Sequence, residues 1–306
     1  GADDILVGVH AAGVNRADCL QRQGNYKVPP GVGNLVPGLE IAGVVEAVGP
    51  GVGSAGGGFA PGDRVFGLVA EGAYAEYAVI DSGLAMPIPE GWDYVTAAAV
   101  TEAFCTANET IFELGDLKAG ESILIHAGAS GVGSTGVQMA KAIGATVYFT
   151  VGSRQKRDKV FALGGDHGIL YKETDFAEEI LRLTDGAGVD QVEDFIGAAY
   201  LSRNLAVLKT KGRLVQVGLL GGTKAEINLP VLMRKRLTIR GFQLRPQSIP
   251  EKRAIVDRVR TRWLPLIAEG RTKPIIFATF PLKQAMEAHQ MMEANENFGK
   301  IILTVG

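Results

Sequence analysis

Apolar positions fall into three successive patterns along the chain. Over roughly the first 100 residues they come as short alternating or β-branched runs, Ile5–Val9, Glu40–Val48, Arg64–Gly67 and Tyr74–Ile80, which predict strands. Clusters such as Val28-Pro29-Pro30-Gly31 and Gly49-Pro50-Gly51 separate these runs and read as turns, so a small β-barrel is expected. From Trp92 the pattern changes to a helix over Tyr94–Glu113. Strands then alternate with helix-period segments: Ser122–His126, Thr146–Val151, Gly168–Tyr171, Val189–Phe195, Arg213–Gly218 and Leu237–Leu244. Six strands separated by helices predict a doubly wound parallel sheet. An amphipathic helix (Glu251–Glu269), a strand (Ile275–Phe280), a helix (Leu282–Asn295) and a last strand (Gly299–Val305) complete the chain.

The most specific stretch follows the first strand of the alternating region. Gly131-Val132-Gly133-Ser134-Thr135-Gly136 matches G-x-G-x-x-G directly after a strand and opening a helix, whose apolar face is Val137, Ala140 and Ile143 before Gly144. Glycines allow a tight turn and close approach to a pyrophosphate, whose charge is stabilised by unpaired amides at a helix N-terminus. An NAD enzyme places an acid about 20 residues past the first glycine, at the end of the next strand. Here the chain reads Gly152-Ser153-Arg154-Gln155-Lys156-Arg157, and the first acid is Asp158. Three cations at a helix start are disfavoured by the helix dipole unless an anion compensates them, which points to the 2′-phosphate of NADP(H).

Composition adds limits. With 306 residues and 46% hydrophobic content the chain can bury two cores, and its net charge of −2 gives no electrostatic case for nucleic acid or membrane. No apolar run is long enough for a membrane helix and Gly1-Ala2-Asp3-Asp4 is not a signal peptide, so a cytoplasmic protein is expected. Cys19 and Cys105 cannot form a disulfide framework, and no metal motif is visible. His126 reads as structural, and Arg234-Lys235-Arg236 as a solvated helix end with no aromatic platform for nucleic acid.

Several stretches carry a family resemblance: Val14-Asn15-Arg16-Ala17-Asp18, Gln21-Arg22-Gln23-Gly24-Asn25-Tyr26, Pro37-Gly38-Leu39-Glu40, Ile125-His126-Ala127-Gly128, Gly152-Ser153 and Met292 to Lys300. Over nearly its whole length the chain resembles the zinc-independent medium-chain dehydrogenase/reductases, and among them the NADPH:quinone oxidoreductases. The resemblance implies an α/β fold: a Rossmann doubly wound parallel sheet plus a GroES-like β-barrel catalytic domain. The expected domains are 1–103 completed by 251–306 for the catalytic part, and 104–250 for cofactor binding. Family members begin roughly 25 residues earlier with a strand pair whose loss would leave an unpaired sheet edge. In the zinc-dependent relatives a Cys lies three residues before the Asp, a His directly before the Glu, and a third thiolate near Glu102. This chain has Asn15 and Leu39 at the first two, and Leu39 cannot ligate zinc, so no metal is expected.

For the cofactor, NADPH, the resemblance assigns Ser130, Gly131 and Val132 to the pyrophosphate, and Gly152, Ser153, Lys156 and Tyr171 to the 2′-phosphate edge. Gly197 lets the ribose approach, while Gly218, Leu219 and Asn297 close around the nicotinamide end, and Phe242 and Leu244 line the acceptor pocket. Tyr26 is expected either to stack on a flat acceptor and donate from its phenol, or to be a loop aromatic. Asn15 either donates to a quinone oxygen or the nicotinamide ribose, or pins its loop. No general acid is assigned. The implied activity is NADPH-dependent quinone reduction; the alternatives are reduction of enone or alkenal double bonds, and a non-catalytic NADPH- or RNA-binding protein. A homodimer through the edge strand Leu237–Leu244 is implied as well.

Overall fold

Alternating burial along Asp4–Val14 makes the first strand, β1, with Ile5, Val7 and Val9 inside. After it come α1 (Arg16–Arg22), β2 (Glu40–Val48), β3 (Arg64–Leu68), β4 (Tyr77–Asp81), β5 (Ala85–Pro87), α2 (Tyr94–Ala98) and α3 (Thr101–Ala107). A π-helical turn, Asn108–Glu113, leads into the alternating series: β6 (Ser122–Ile125), α4 (Gly131–Ala142), β7 (Thr146–Val151), α5 (Arg154–Phe161), β8 (His167–Leu170) and α6 (Phe176–Leu183). That series continues through β9 (Val189–Asp194), α7 (Ala198–Val207), β10 (Leu208–Gln216), α8 (Leu229–Lys235) and β11 (Thr238–Gly241). The last elements are α9 (Ile249–Arg262), α10 (Leu264–Ala268), β12 (Ile276–Pro281), α11 (Ala285–Glu293) and β13 (Lys300–Thr304). This computed structural model describes residues 1–26, 36–53 and 58–306, and the turn expected at Val28-Pro29-Pro30-Gly31 lies outside them.

Two compact units result. One comprises Gly1–Cys105, Leu244–Gly270 and Pro274–Gly306; the other comprises Thr106–Gln243 with Arg271–Lys273. In the second unit six parallel strands run in the order β11-β10-β9-β6-β7-β8, the doubly wound arrangement expected from the alternation. β6 and β9, adjacent in the sheet, are where the winding reverses. Their near-continuous burial reflects a parallel sheet covered on both faces, with Leu124, Val192, Leu205, Leu214 and Ile180 in its core.

The first unit is built on a seven-stranded, largely antiparallel sheet in the order β12-β13-β1-β2-β3-β5, with β4 paired to β1. The barrel expected there does not emerge as a closed ring: among the described residues the ladder runs from β12 to β5 without pairing the two ends. β12 and β13 are the parallel pair within it.

Several expected elements change in detail. The helix anticipated over Tyr94–Glu113 breaks into α2, α3 and the π turn, with the Glu102 amide diverted to the Glu40 carboxylate at 2.8 Å. The helix expected at Glu251–Glu269 starts earlier, on a capping box between Ser248 and Glu251, and divides at Trp263 because Pro265 has no amide to continue the ladder. α1 and β5 were not anticipated, and the edge strand is only Thr238–Gly241, leaving Phe242 to Leu244 outside it. Among the described residues, no helix is long and apolar enough to cross a membrane.

Candidate active site

In the second unit the glycine pattern lies inside a helix rather than before one. Ser130 is the N-cap of α4, its hydroxyl accepting the Gly133 amide at 3.0 Å, so Gly131, Gly133 and Gly136 occupy the first turns. The turn itself is Ala127 to Ser130, where Ala127 adopts a φ of 50° and the Ser130 amide donates to its carbonyl at 2.9 Å. A Cβ at Gly133 would sit 2.4 Å from the Ala127 oxygen, and one at Gly136 would sit 2.8 Å from Ile111 Cδ1. Those two glycines therefore serve helix packing, while the amides of Gly131 and Val132, at N1 and N2, have no intrahelical acceptor and suit an anion.

The loops after β9 and β10 form a second wall. Gly197, at φ 84°, caps α7, and a Cβ there would meet the Gly222 oxygen at 2.8 Å and Leu219 Cδ2 at 3.0 Å. Backbone bonds from Gly218 to Asp194, Leu220 to Phe195, Gly221 to Ile196 and Ala198 to Gly222 zip the loops together, bringing Gly197, Gly218 and Leu219 to one place. Beneath them is a polar chain that sequence reasoning missed. The His126 imidazole meets Thr150 Oγ1 at 3.0 Å and Asn204 Oδ1 at 2.8 Å, and Asn204 donates to Asp194, which also accepts the amides of Ile196 and Gly197. His126 is fully buried, which pushes its pKa down to about 4, so a neutral ring donates from Nε2 and supports the loop through Asn204.

At the end of β7, Gly152 makes room for a phenol: a Cβ there would lie 2.9 Å from Tyr171 Oη, which places Tyr171 directly over Gly152. Ser153 caps α5 and accepts the Lys156 amide at 3.3 Å, so its hydroxyl has a structural partner. Two of the three cations expected to need an anion have carboxylates of their own, Arg154 facing Glu173 at 3.1 Å and Arg157 facing Asp158 at 3.6 Å. Phe242 follows β11, its amide donating to the Gln216 carbonyl at 3.0 Å.

Asn15, Tyr26, Leu244 and Asn297 belong to the first unit. Leu244 is buried, and the Asn297 side chain donates to the Gly299 carbonyl at 2.7 Å. Asn15 caps α1 and is held at both ends of its amide, donating to Glu40 Oε1 at 3.0 Å and accepting from Lys300 Nζ at 2.5 Å. Lys300 also donates to Glu40 Oε1 at 2.5 Å, and neither charged group is open to solvent. Gly13 makes this possible, since a Cβ there would fall 2.1 Å from Glu40 Oε1. Around the pair stand Asp18, which accepts the amides of Asn15 and Gly38 and the Tyr74 hydroxyl, and Glu102, whose carboxyl is half-buried. Burial raises Asp18 to about 6; Glu102 is raised to about 8, first by burial and then by the Glu40 charge. Tyr26 is half-buried beneath the Arg245 guanidinium, 5.5 Å from ring centre to guanidinium carbon.

The profile described as "Alcohol dehydrogenase GroES-like domain" matches residues 1–90, and that described as "Zinc-binding dehydrogenase" matches residues 131–258. The rat quinone oxidoreductase is 32% identical over 301 residues, 98% of this chain and 88% of its own. The chain belongs to the zinc-independent medium-chain dehydrogenase/reductases, in the quinone oxidoreductase family. Among solved structures of such relatives, the Escherichia coli quinone oxidoreductase complexed with NADPH superposes with a TM-score of 0.89 at 31% identity, covering 99% of this chain and 92% of that one. The CurK enoyl reductase superposes with a TM-score of 0.88 at 26% identity, covering 100% of this chain and 92% of that one. A mycocerosic acid synthase-like polyketide synthase of Mycobacterium tuberculosis is 35% identical over 308 residues, all of this chain but 14% of its own length.

The donor set does not fit zinc. Among the described residues no three His, Cys, Asp or Glu side chains gather to hold a metal ion, and the cation buried beside Asn15 and Glu40 is the Lys300 ammonium.

Proposed function

We propose that this member of the family is an NADPH-dependent reductase of quinones. The observation that carries the cofactor choice is the end of β7: Tyr171 stands over Gly152 beside Ser153 and Lys156, with no acid at the strand end to hold a free 2′-hydroxyl. In this reading the Gly131 and Val132 amides hold the pyrophosphate, Gly197, Gly218 and Leu219 admit the ribose and nicotinamide, and Lys156 pairs with the 2′-phosphate. Bound dihydronicotinamide supplies a hydride; the protein binds, orients and excludes water. Tyr26 and Arg245 present donors to an acceptor oxygen.

Steady-state turnover of ortho- and para-quinones, enones and alkenals with NADPH and NADH tests the proposal. Quinone turnover with a strong preference for NADPH is the expected result. Turnover of alkenals alone would favour the double-bond reductase reading, for which the likeness to CurK enoyl reductase and to the polyketide synthase segment speaks. NADPH binding with no turnover would favour a non-catalytic role.

The proposed assembly is a homodimer in which β11 pairs across a two-fold axis. β11 is the last strand of its sheet and is largely exposed, and Ile239, Met233, Leu229 and Ile227 leave apolar surface around it. Sedimentation should give a dimer that Ile239→Lys converts to monomer; a monomeric wild type at every concentration would contradict this.

A further inference from the structure

We propose that Glu102 is the proton donor to the reduced acceptor, a half-buried carboxyl without a hydrogen bond, standing among the Glu40–Lys300 pair, Tyr26 and Arg245. The inference rests on the reductase reading above and supplies the general acid that reading lacks.

The ion pair beside Glu102 is fully committed. Glu40 accepts from Lys300 and Asn15 on one oxygen and from the Glu102 amide on the other, so its charge is fully used as an anion. Lys300 spends its donors on Glu40, Asn15 and the Val14 carbonyl. In contrast, no donor among the described residues reaches the Glu102 carboxyl oxygens, and they are not sealed from solvent. A second group is also unsatisfied: Arg245 is 4% exposed, binds Gln21 and the Ala70 carbonyl through Nη1 and Nε, and leaves Nη2 buried without a partner. Arg245 covers the Tyr26 ring, and Tyr26 in turn feels the Glu102 charge. An orphaned Nη2, a phenol and an uncommitted carboxyl all gain from the same ligand feature, a carbonyl oxygen with free lone pairs.

Only one of the three can release a proton near neutrality. Arg245 is never deprotonated in water, and Tyr26 is pushed up to about 12, chiefly by burial. Glu102 is raised to about 8, chiefly by burial and then by Glu40, which suits transfer at physiological pH. The groups facing it are Glu40 from β2, Lys300 from β13, Asp18 from α1, Lys252 from α9 and Tyr26; Glu40, Asp18 and burial favour the neutral acid, and the two ammonium groups oppose it.

The step balances. One quinone oxygen takes the C–H electron pair of bound dihydronicotinamide as hydride, leaving oxidised nicotinamide and a hydroquinone monoanion; the Glu102 O–H bond breaks as an O–H bond forms on the other, anionic oxygen, and hydroquinone leaves. The Glu102 carboxylate is then reprotonated by solvent.

The test compares wild type, Glu102→Gln and Glu102→Asp. Glu102→Gln should leave NADPH affinity, read by fluorescence titration, within about twofold, while kcat for a quinone falls about 100-fold or more. The wild-type kcat should decline as pH rises through about 8 and lose that limb in Glu102→Gln. Infrared titration of the cofactor-free protein should show protonated carboxyl intensity that disappears over the same range, with the Glu102 share missing from Glu102→Gln and the share of the buried Glu193, also raised to about 8, retained. Should Glu102→Gln fail to fold, Glu102→Asp decides: a lowered kcat that still titrates supports the proposal, and a pH-independent kcat overturns it. Wild-type turnover with an unchanged Glu102→Gln sinks the proposal alone; no wild-type turnover with any acceptor sinks the reductase reading beneath it.

Discussion

Replacing Lys300 by Met should be among the most damaging single changes in the first unit, although the substitution adds no bulk and touches no glycine. The ammonium is 2.5 Å from Glu40 Oε1 and 2.5 Å from Asn15 Oδ1, and Glu40 has no solvent exposure. At an effective dielectric of about 20 the 2.5 Å pair attracts by roughly 7 kcal/mol. Desolvating two ions costs several kcal/mol each, so the net worth of the pair is near zero. Removing one partner is different: the remaining carboxylate keeps its desolvation penalty and loses its compensation, a cost of about 3–5 kcal/mol. Lys300→Met should lose that much in urea unfolding followed by the emission of Trp263, which is fully buried. Glu40→Gln/Lys300→Met should lose clearly less, because no charge is stranded, although the single amide oxygen can keep only one of the two acceptor roles that Glu40 divides between Oε1 (for Asn15) and Oε2 (for the Glu102 amide). A single-variant loss below about 1 kcal/mol, or a double variant as unstable as the single, would refute the reasoning.

Two further changes probe the second unit. Lys156→Glu should weaken NADPH binding by about 1.4 kcal/mol or more, over tenfold, with little effect on NADH, as measured by calorimetry; unchanged NADPH affinity would remove Lys156 from the phosphate site. His126 has a folded pKa of about 4 against 6.5 when unfolded, so its contribution is complete above about 6.5 and is lost as pH falls toward about 4. That amounts to about 3 kcal/mol, and His126→Gln should flatten this part of the stability profile; parallel wild-type and variant curves would count against it.

What the sequence disclosed was mainly backbone. Six runs alternating with helix-period segments became six parallel strands; inner strands such as β6 and β7, covered on both faces, are apolar without knowledge of their partners, while β11 at the edge is largely exposed. The glycine pattern located the helix start but not its register: N-capping by Ser130 draws all three glycines into α4, and a first stretch with glycine at three of six positions gives periodicity little to read. The break at Pro265 was legible and went unused. Tyr171 and Gly152 are both expected at the cofactor's 2′-phosphate edge, but neither their contact nor Glu173 and Asp158 as partners of Arg154 and Arg157 is legible, since side-chain pairing depends on rotamers rather than pattern.

The acid cluster was harder to read for a different reason. Asn15 and Lys300 are 285 positions apart, and Asn15 and Glu40 are separated by 25, so no local window contains the constellation. Yet two anomalies mark it: Gly13 interrupts the buried run Ala11-Ala12-Gly13-Val14 that ends β1, and Lys300 opens one, Lys300-Ile301-Ile302-Leu303, as a solitary cation. A glycine inside a strand signals the close approach of something else, and a lone charge in a buried strand demands a counter-charge. Gly13 is the space for Glu40, and Lys300 is its counter-charge. Burial and then the Glu40 charge raise the neighbouring Glu102, while the Lys300 and Lys252 ammonium groups pull it down. Part of the tuning of the proton donor therefore runs through Gly13, which makes the space for Glu40. Gly13→Ala, which displaces Glu40, should accordingly lower the pH at which kcat declines, and an unshifted profile in the folded variant would break that link.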